Sequence, residues 1–273
     1  MVLERFRLDG KAVIVTGGGR GLGRRMAVAL AEAGADVAVA ARTVPELEET
    51  AAAVRAAGRR CLVVPTDVRD SRQVDALVER TVAEFGRLDV FVANAGALGA
   101  AGSKAPVDVT DEEWADSLAT NLGNAFYSAR AALRVMLPQG SGVIITVASG
   151  TALRGFAQGF VYGAAKAGII ALTKSLAVMY ARQGIRANCI VPGFVAQMDE
   201  PGPMEQEFLL SRGRYIPVGR VGRAAELGPL AVFLASDASS YVTGETFVID
   251  GGGLADGVAP VGYAPAWEPG RQA

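Results

Sequence analysis

Short apolar runs alternate with longer segments of mixed polarity along most of this chain. The runs are apolar at nearly every position rather than at every second one, as expected for strands that helices cover on both faces. The predicted strands are Ala12–Thr16, Val37–Ala41, Cys61–Pro65, Val90–Asn94, Val143–Val147, Ala187–Val191 and Thr246–Ile249. The segments between them predict helices at Gly21–Gly34, Val44–Gly58, Ser71–Phe85, Asp111–Leu137, Phe160–Gln183 and Ala224–Ser236.

This alternation predicts an α/β fold: a doubly wound, Rossmann-like parallel sheet of seven strands with helices on both faces. Right-handed crossovers return each strand parallel to the one before it. No shift in composition divides the chain before residue 253, so we expect a single domain, residues 1–253. Residues 254–273 are rich in Gly and Pro, which predicts a loosely ordered tail. The alternative is that Tyr263 and Trp267 cover a subunit interface or the active site.

Composition narrows the classes of function. The chain has 273 residues, 51 % of them apolar, and a net charge of −1 without basic blocks, which argues against a nucleic-acid partner. It contains no histidine, so a Ser-His-Asp triad, a His-Glu-x-x-His zinc site and any histidine base are excluded. Cys61 and Cys189 form no Cys-x-x-Cys pair, so we expect buried, reduced thiols and no metal site.

Targeting signals are not apparent in the sequence. The N-terminal segment mixes charges and lacks the apolar stretch of a signal peptide. No uninterrupted apolar run approaches the roughly 18 residues that a membrane span needs. We therefore expect a cytoplasmic protein with no membrane partner.

A glycine-rich turn follows the first predicted strand. Its sequence, Thr16-Gly17-Gly18-Gly19-Arg20-Gly21-Leu22-Gly23, leads into the first predicted helix. Glycines let the backbone approach a pyrophosphate closely, and a helix N-terminus offers free N–H groups and a favourable dipole. The spacing is Gly-x-x-x-Gly-x-Gly rather than Gly-x-Gly-x-x-Gly, and a plain turn is the simpler interpretation. Its position after the first strand of an alternating chain predicts dinucleotide binding.

The end of the second predicted strand bears on the choice of dinucleotide. An acidic residue there would bind the ribose 2′-hydroxyl of NAD, but this chain has Ala41-Arg42-Thr43 and places Asp36 at the opposite end of the strand. Arg20 and Arg42 can bind a 2′-phosphate, so we expect NADP as the cofactor, with NAD as the alternative. The simpler interpretation is that both arginines are solvated surface residues.

Tyr162 and Lys166 lie four positions apart in a predicted helix, so they share one face. A phenol has a pKa near 10, and a fixed ammonium favours the phenolate and lowers that pKa. Lowering it to about 7 takes about 4 kcal/mol, which a unit charge at about 4 Å supplies at an effective dielectric constant of about 20. The pair is a candidate general acid and base, although residues at this spacing are commonly only surface neighbours.

Taken together, these features resemble the short-chain dehydrogenase/reductase family, in its single-domain branch of enzymes similar to 3-oxoacyl-(acyl-carrier-protein) reductases. The resemblance extends from Lys11 to Gly253. It rests on Thr16–Gly23, Asp67, Asn94-Ala95-Gly96, Asn121, Ser149, Tyr162 with Lys166, Pro192-Gly193, Thr243-Gly244 and Asp250-Gly251-Gly252. Each motif is weak alone, and their order along the chain makes the resemblance specific.

The resemblance implies a role for each matching residue. In the catalytic set, Ser149 would bind the substrate carbonyl oxygen and Tyr162 would exchange the proton. Lys166 would hold the nicotinamide ribose and lower the tyrosine pKa, and Asn121 would anchor a water of the proton relay. The implied cofactor-binding residues are Gly17, Arg20, Gly21, Leu22, Arg42, Asp67, Val68, Asn94, Ala95, Gly96, Tyr162, Lys166, Pro192, Gly193 and Val195. The expected substrate-binding residues are Ser149, Thr151, Arg154, Tyr162 and Phe194, with Leu98, Phe156 and Met198 as further pocket residues.

Simpler structural roles are open at three of these positions: a strand-end cap for Ser149, a helix-kinking residue for Asn121 and the start of a turn for Asp67. The chain also departs from the family pattern. Ala93 replaces a frequent second Asn, Asn124 stands where Gly is common, and Gln197 stands where a Thr or Ser usually binds the nicotinamide carboxamide. An amide can make the same hydrogen bond, but its longer side chain changes the contact.

We therefore expect an oxidoreductase that transfers a hydride between a nicotinamide cofactor and a small-molecule carbonyl or alcohol. The alternatives are an NAD-dependent alcohol, sugar or steroid dehydrogenase of the same family and a non-catalytic dinucleotide sensor or scaffold. Residues 194–221 have the mixed composition of a lid over the site. The resemblance implies a homotetramer, or a homodimer, formed through the fourth and fifth predicted helices and the C-terminal strand. An Ala-rich face of the latter helix (Ala164, Ala165, Ala171, Ala177) would allow close packing, as would an ordinary core.

Overall fold

The structure is a computed structural model that describes residues 1–155, 159–197 and 203–255. Within these ranges, nothing is described for the side chains of Ser103 and of residues 203–205. The predictions for Phe156, Met198, Tyr263 and Trp267 lie outside the described residues.

The central sheet has seven parallel strands: β1 (Ala12–Thr16), β2 (Asp36–Ala41), β3 (Cys61–Pro65), β4 (Val90–Ala93), β5 (Gly142–Val147), β6 (Ile185–Pro192) and β9 (Thr246–Ile249). Their order across the sheet is β3-β2-β1-β4-β5-β6-β9. In the register of β1, Ile14 lies opposite Ala38 of β2 and Phe91 of β4. This arrangement confirms the predicted doubly wound sheet. Two further short strands, β7 (Val195–Ala196) and β8 (Gly222–Arg223), pair with each other and were not predicted.

Helices cover both faces of the sheet. They are α1 (Gly21–Glu32), α2 (Val44–Ala56), α3 (Ser71–Phe85), α4 (Asp111–Leu118), α5 (Asn124–Gln139), α6 (Phe160–Tyr180), α7 (Pro203–Gly213) and α8 (Leu227–Ala235). Along β1, Val13 and Val15 pack with α1 and α8 in one core layer, and Ile14 packs with α3 and α5 in the other. Because both faces bury apolar side chains, the strand is apolar at successive positions.

The predicted helix Asp111–Leu137 is helical throughout, but it is not α-helical over its whole length. α4 ends at Leu118, a π-helical turn spans Ala119–Gly123, and α5 then runs on to Gln139. The amide of Asn121 lies in this turn and bonds to the carbonyls of Ser117 and Ala97. Asn121 therefore lies at the π-helical turn itself and ties it to the backbone of Ala97. The prediction also missed α7, whose mixed composition gives no clear helical pattern.

α6 is the one helix in the described part of the chain that is long and apolar enough to cross a membrane, over Phe160–Gln183. It packs on β5 and β6, and 44 % of its apolar 18-residue window is buried inside the protein, so this one helix is weak evidence for a membrane span. Of the two cysteines, Cys189 is buried and Cys61 is only partly so, and both are free thiols. Burial raises the pKa of Cys61 to about 12, which makes it a poor nucleophile.

The strand order reverses between β1 and β4, where ligands of such sheets bind at the carboxyl ends of the strands. Thr16, the last residue of β1, links the carboxyl ends of β1 and β4. Its hydroxyl accepts hydrogen bonds from the backbone N–H groups of Asn94 and Ala95, at 3.1 and 3.2 Å. This position is where the candidate site forms.

Candidate active site

The glycine-rich turn fits the pyrophosphate of a dinucleotide. Gly17 and Gly21 have φ values of +64° and +52°, in the left-handed region that favours glycine. A Cβ on Gly17 would lie 2.8 Å from Asn94 Nδ2, so a side chain there would collide. α1 begins at Gly21, and the preceding Arg20 makes no side-chain cap. Within the described residues no side chain caps the first N–H groups of this helix, so they can bind an anion.

Two side chains that the sequence did not single out hold this turn in place. Arg24 Nε and Thr50 Oγ1 donate to the carbonyl of Gly19 at 2.9 and 3.2 Å. Arg24 also pairs with Glu49 of α2 at 2.6 Å. α2 is thus fastened to the turn. No motif could have revealed these contacts, because their common partner is a backbone carbonyl.

Asn94 follows β4 directly and ties it to the turn, its Nδ2 donating to the carbonyl of Thr16 at 2.9 Å. Asn124, at the start of α5, donates to the carbonyl of Ala95 at 2.6 Å. Asn124 stood out in the sequence only as a departure from the family pattern. This hydrogen bond fixes the backbone of the strip Asn94–Gly96. The feature of the sequence that pointed to this role was a polar residue at a position where Gly is common.

Asn121 and Lys166 meet over Gly96. A Cβ on Gly96 would lie 2.8 Å from Asn121 Oδ1 and 2.9 Å from Lys166 Nζ, so only glycine leaves room for both groups. Asn121 is fully buried; its Nδ2 donates to the carbonyl of Ala97 at 2.9 Å, and its Oδ1 accepts from the N–H of Ala97 at 3.2 Å. The structure therefore brings together two of the predicted catalytic residues.

Lys166 is only 2 % exposed, and its Nζ donates to the carbonyl of Val147 at 2.8 Å. Burial disfavours the charged form and lowers the pKa of Lys166 to about 8. Nζ lies 5.4 Å from the centre of the Tyr162 ring, so the predicted pair shares one face of α6. Lys166 can accordingly exchange its proton near neutral pH.

The structure corrects one expectation about Tyr162. Burial raises the pKa of its phenol above the ordinary value, and a hydrogen bond with the Ser149 side chain lowers it only in part. The predicted net lowering by Lys166 is therefore wrong, because removal of the phenol from water outweighs the other effects. Ser149 also accepts a hydrogen bond from the N–H of Thr151 at 3.3 Å, so it caps the short turn after β5 as well.

The side chains predicted to bind the adenosine half of the cofactor, here called the adenosine end, are charged and at least partly accessible. The Arg20 side chain is 82 % exposed, with one guanidinium nitrogen 4.0 Å from the Glu46 carboxylate. Arg42 is exposed at the end of β2. Asp67 lies beside Arg69, whose guanidinium and N–H hold the pKa of that carboxyl below its usual range, with a smaller contribution from Arg42.

Two interpretations of acidic residues near this end were tested by the geometry. Asp67 accepts from the N–H of Arg69 at 3.0 Å, so it does begin a turn, as its simpler interpretation held. Asp36 forms ion pairs with Arg59 and Arg60, at 3.0 and 2.7 Å, at the N-terminal end of β2. Asp36 thus lies at the opposite end of β2 from Arg42.

The segment after β6 was predicted to face the nicotinamide. The N–H of Gly193 donates to the carbonyl of Ile249 at 3.0 Å, and a Cβ on Gly193 would collide with Asp250. Val195 lies in β7 and packs against the core. The Gln197 side chain lies against Gly21, at the first residue of α1. Gln197 thus contacts the glycine-rich turn. We therefore do not assign to it the contact with the nicotinamide carboxamide that a Thr or Ser makes at this position in the family.

The expected substrate-binding residues differ in their surroundings. Thr151 has a buried hydroxyl without a hydrogen-bond partner in the described structure. Leu98 lies against Gly102 and Gly159, and Phe194 is 45 % exposed with its ring 5.9 Å from that of Phe208. Arg154 is exposed after β5. Because a buried hydroxyl without a partner is unfavourable, Thr151 is the member of this set that a polar ligand group would stabilise by a hydrogen bond.

The fold and this arrangement of side chains are those of a nicotinamide-dependent oxidoreductase. A family model described as enoyl-(acyl carrier protein) reductase matches residues 17–253. The chain is 38 % identical over 264 residues to 2-dehydro-3-deoxy-D-gluconate 5-dehydrogenase of Escherichia coli (strain K12), covering 93 % of this chain and 100 % of that protein. It is 35 % identical over 247 residues to the 3-oxoacyl-(acyl-carrier-protein) reductase of the same strain, covering 90 % and 98 %.

Solved structures agree with these sequence comparisons. NADPH-dependent 3-quinuclidinone reductase from Rhodotorula rubra matches with a TM-score of 0.83 at 35 % identity, covering 93 % of this chain and 95 % of that one. The chain therefore belongs to the short-chain dehydrogenase/reductase family. It is an NAD(P)-dependent oxidoreductase that acts on CH–OH groups of small molecules.

Proposed function

We propose that this protein is a carbonyl reductase or alcohol dehydrogenase that uses Tyr162 as its general acid and base. The observation that carries the proposal is the cluster in which the buried Lys166 and Asn121 meet over Gly96, with Lys166 Nζ 5.4 Å from the centre of the Tyr162 ring and Ser149 near enough to the phenol to act on its pKa. The strip Asn94–Gly96 contacts both this cluster and the glycine-rich turn, so a dinucleotide bound along the turn would extend toward the acid/base group.

A nicotinamide held beside Pro192 and Gly193 would supply the hydride for carbonyl reduction, or accept it in alcohol oxidation. Ser149 positions the substrate oxygen with its hydroxyl. Tyr162 gives its phenolic proton to that oxygen as the alcohol forms, and its raised pKa keeps the proton available at neutral pH. Lys166, with its pKa near 8, returns a proton to the phenolate, and Asn121 orders the path toward solvent.

NADP is the preferred cofactor in this proposal. Arg20 and Arg42 are exposed cations at the adenosine end, and the end of β2 carries no carboxylate to repel a 2′-phosphate. The NADPH-dependent reductase among the similar structures supports the preference. Comparable or higher kcat/KM with NADH would count against it.

The substrate is a small carbonyl or alcohol compound bound between apolar side chains. Leu98 and Phe194 supply apolar surface, and the unpaired Thr151 hydroxyl supplies a hydrogen bond. Similar proteins are named for sugar-acid, hydroxycyclohexanecarboxylate and 3-oxoacyl substrates. A panel of cyclic ketones, keto acids and 3-oxoacyl thioesters therefore covers the classes that the pocket and the relatives suggest.

The test is NADPH oxidation over that panel, with wild-type protein and Tyr162→Phe. We expect kcat to fall by a factor of about 10² to 10⁴ in the variant, because general acid catalysis is lost. The Kd of NADPH, measured separately by fluorescence titration, should rise only a few fold, about the loss of one hydrogen bond. Near-wild-type turnover by Tyr162→Phe would overturn the mechanism. Tight NADPH binding without turnover of any panel member would favour a dinucleotide sensor or scaffold instead.

The proposal includes a homotetramer in the cytoplasm, built from the domain of residues 1–253. Ala164, Ala171 and Val178 are exposed at seven-residue intervals along α6, whereas Ala165 and Ala177 are buried in the core. An exposed stripe of small apolar residues would let a second copy approach closely. Light scattering that gives four times the chain mass supports a tetramer, and twice the mass supports the dimer.

A further inference from the structure

Glu46 lies against the middle of the glycine-rich turn (Thr16–Gly23). Its Cβ is 3.0 Å from where a Cβ on Gly19 would be, and its Oε2 is 3.4 Å from the same point. Thr50, one helical turn later on the same face of α2, donates to the carbonyl of Gly19 at 3.2 Å. This face of α2 therefore presses on the turn, and glycine at position 19 allows the close approach.

The Glu46 carboxylate also lies within ion-pair distance of a residue assigned to cofactor recognition. Its Oε1 is 4.0 Å from a guanidinium nitrogen of Arg20, and the Glu46 side chain is about two-thirds covered. The other acids of α2 have different partners. Glu48 pairs with Arg55 at 3.5 Å, and Glu49 pairs with Arg24 at 2.6 Å. Glu46 is thus the acid of α2 that is directed at Arg20.

A carboxylate in this position has opposite effects on the two cofactors. It partly neutralises the positive charge of Arg20, and it repels a dianionic 2′-phosphate. A ribose 2′-hydroxyl is neutral and can donate a hydrogen bond to the same carboxylate. The sequence has no such acid at the end of β2, whereas the tertiary structure brings one to this place from the first turn of α2.

We infer that Glu46 is a specificity-determining residue that limits the preference for NADP and sustains binding of NAD. The inference rests on the proposed function, because it assumes that a dinucleotide binds along the turn with its adenosine ribose near Arg20. It predicts that the charge of Glu46, rather than its size, sets the ratio of the two affinities.

The test compares Glu46→Gln with Glu48→Gln, which removes the same charge from the same helix away from the turn. The Kd values of NADPH and NADH are measured by fluorescence titration without substrate. In Glu46→Gln we expect NADPH to bind about tenfold more tightly and NADH no more tightly than before, as for loss of one nearby charge. In Glu48→Gln both Kd values should stay within about twofold. An unchanged affinity ratio in Glu46→Gln would overturn the inference.

A double-mutant cycle with Arg20→Ala tests the route of the effect. If Glu46 acts on the 2′-phosphate largely through Arg20, the gain in NADPH affinity should shrink to about twofold in the Arg20→Ala background. A full tenfold gain there would overturn the role of the ion pair. Failure of the wild-type protein to bind either dinucleotide is a separate outcome, because it would overturn the proposed function itself. Thermal unfolding of each variant verifies that the fold is kept.

Discussion

The two ends of the candidate cleft are built on different physical principles. At the reaction end (Asn121, Ser149, Tyr162, Lys166), Asn121 and Lys166 are buried and bonded to backbone groups, and Ser149 and Tyr162 are partly buried. The adenosine end (Arg20, Arg42, Glu46, Asp67) is accessible and rich in charge. Desolvation sets the proton affinities at the first end, whereas screened charge sets ligand preference at the second. Substitutions should therefore act on catalysis and stability at one end and on cofactor choice at the other.

The largest expected effect is at the reaction end, in Lys166→Met. We expect kcat to fall at least about 100-fold, since the proton supply to Tyr162 is lost. The same change should raise the free energy of unfolding at pH 7 by up to about 3 kcal/mol, because a buried ammonium with its pKa lowered to about 8 no longer has to be desolvated. Chemical unfolding at pH 7 measures the gain, and the exposed Lys174→Met is the control.

The pH dependence of this stability difference follows from the direction of the pKa shift. The folded protein holds the Lys166 proton less tightly than the unfolded chain, whose lysine keeps its ordinary value of 10.5. Between pH 8 and 10.5 the unfolded state binds more protons, so the wild-type protein gains stability as pH rises through this window. The advantage of Lys166→Met should therefore be full below pH 8 and fade by pH 10.5. An advantage that grows with pH would contradict this account.

The second prediction concerns the direction of catalysis. Alcohol oxidation requires the Tyr162 phenolate as the base, and burial raises the pKa of this phenol above its usual value near 10. The kcat/KM for oxidation should therefore rise about tenfold per pH unit in the neutral range, while that for reduction stays high until the phenol ionises. A plateau of the oxidation rate already at pH 7 would show that a further group lowers the phenol pKa.

At the adenosine end, Arg42→Ala should affect cofactor choice without affecting the chemistry. We expect the Kd of NADPH to rise about tenfold at low salt, because one charge-assisted contact to the 2′-phosphate is lost. The loss should shrink at high ionic strength, since the site is open to solvent. The Kd of NADH should hardly change. Arg72→Ala, an equally accessible arginine beside Asp70, serves as the control.

The smallest expected effect is that of Gln197→Ala, beside the glycine-rich turn that lies between the reaction end and the adenosine end. Gln197 is exposed and lies against Gly21, so its amide can donate one hydrogen bond to a pyrophosphate. Losing that bond should raise the Kd of NADPH and of NADH alike by about threefold. A change confined to one dinucleotide would show that Gln197 instead senses the 2′-position.

Some features of the cleft were accessible from the sequence because they depend on local chemistry. The glycine turn after β1 and the Tyr162–Lys166 spacing can be located from a few neighbouring residues. Asn124 was visible as an unusual residue, yet its bond to the Ala95 carbonyl depends on how α5 packs against the end of β4. Contacts of Arg24, Thr50 and Glu46 with the turn were invisible, because they require the placement of α2.

The sequence alone determined the order and type of the main elements, since apolar runs buried on both faces and glycine turns leave a local pattern. It also placed Ser149, Tyr162 and Lys166 on adjacent elements and ruled out histidine chemistry. Only the tertiary structure decided the direction of the pKa shifts and which charged side chains lie close together in the site. Desolvation of Tyr162 and Lys166 depends on everything packed around them, and the approach of Glu46 to Arg20 depends on two segments about 25 residues apart. Such energies arise from the full three-dimensional surroundings, which no local pattern of residues contains.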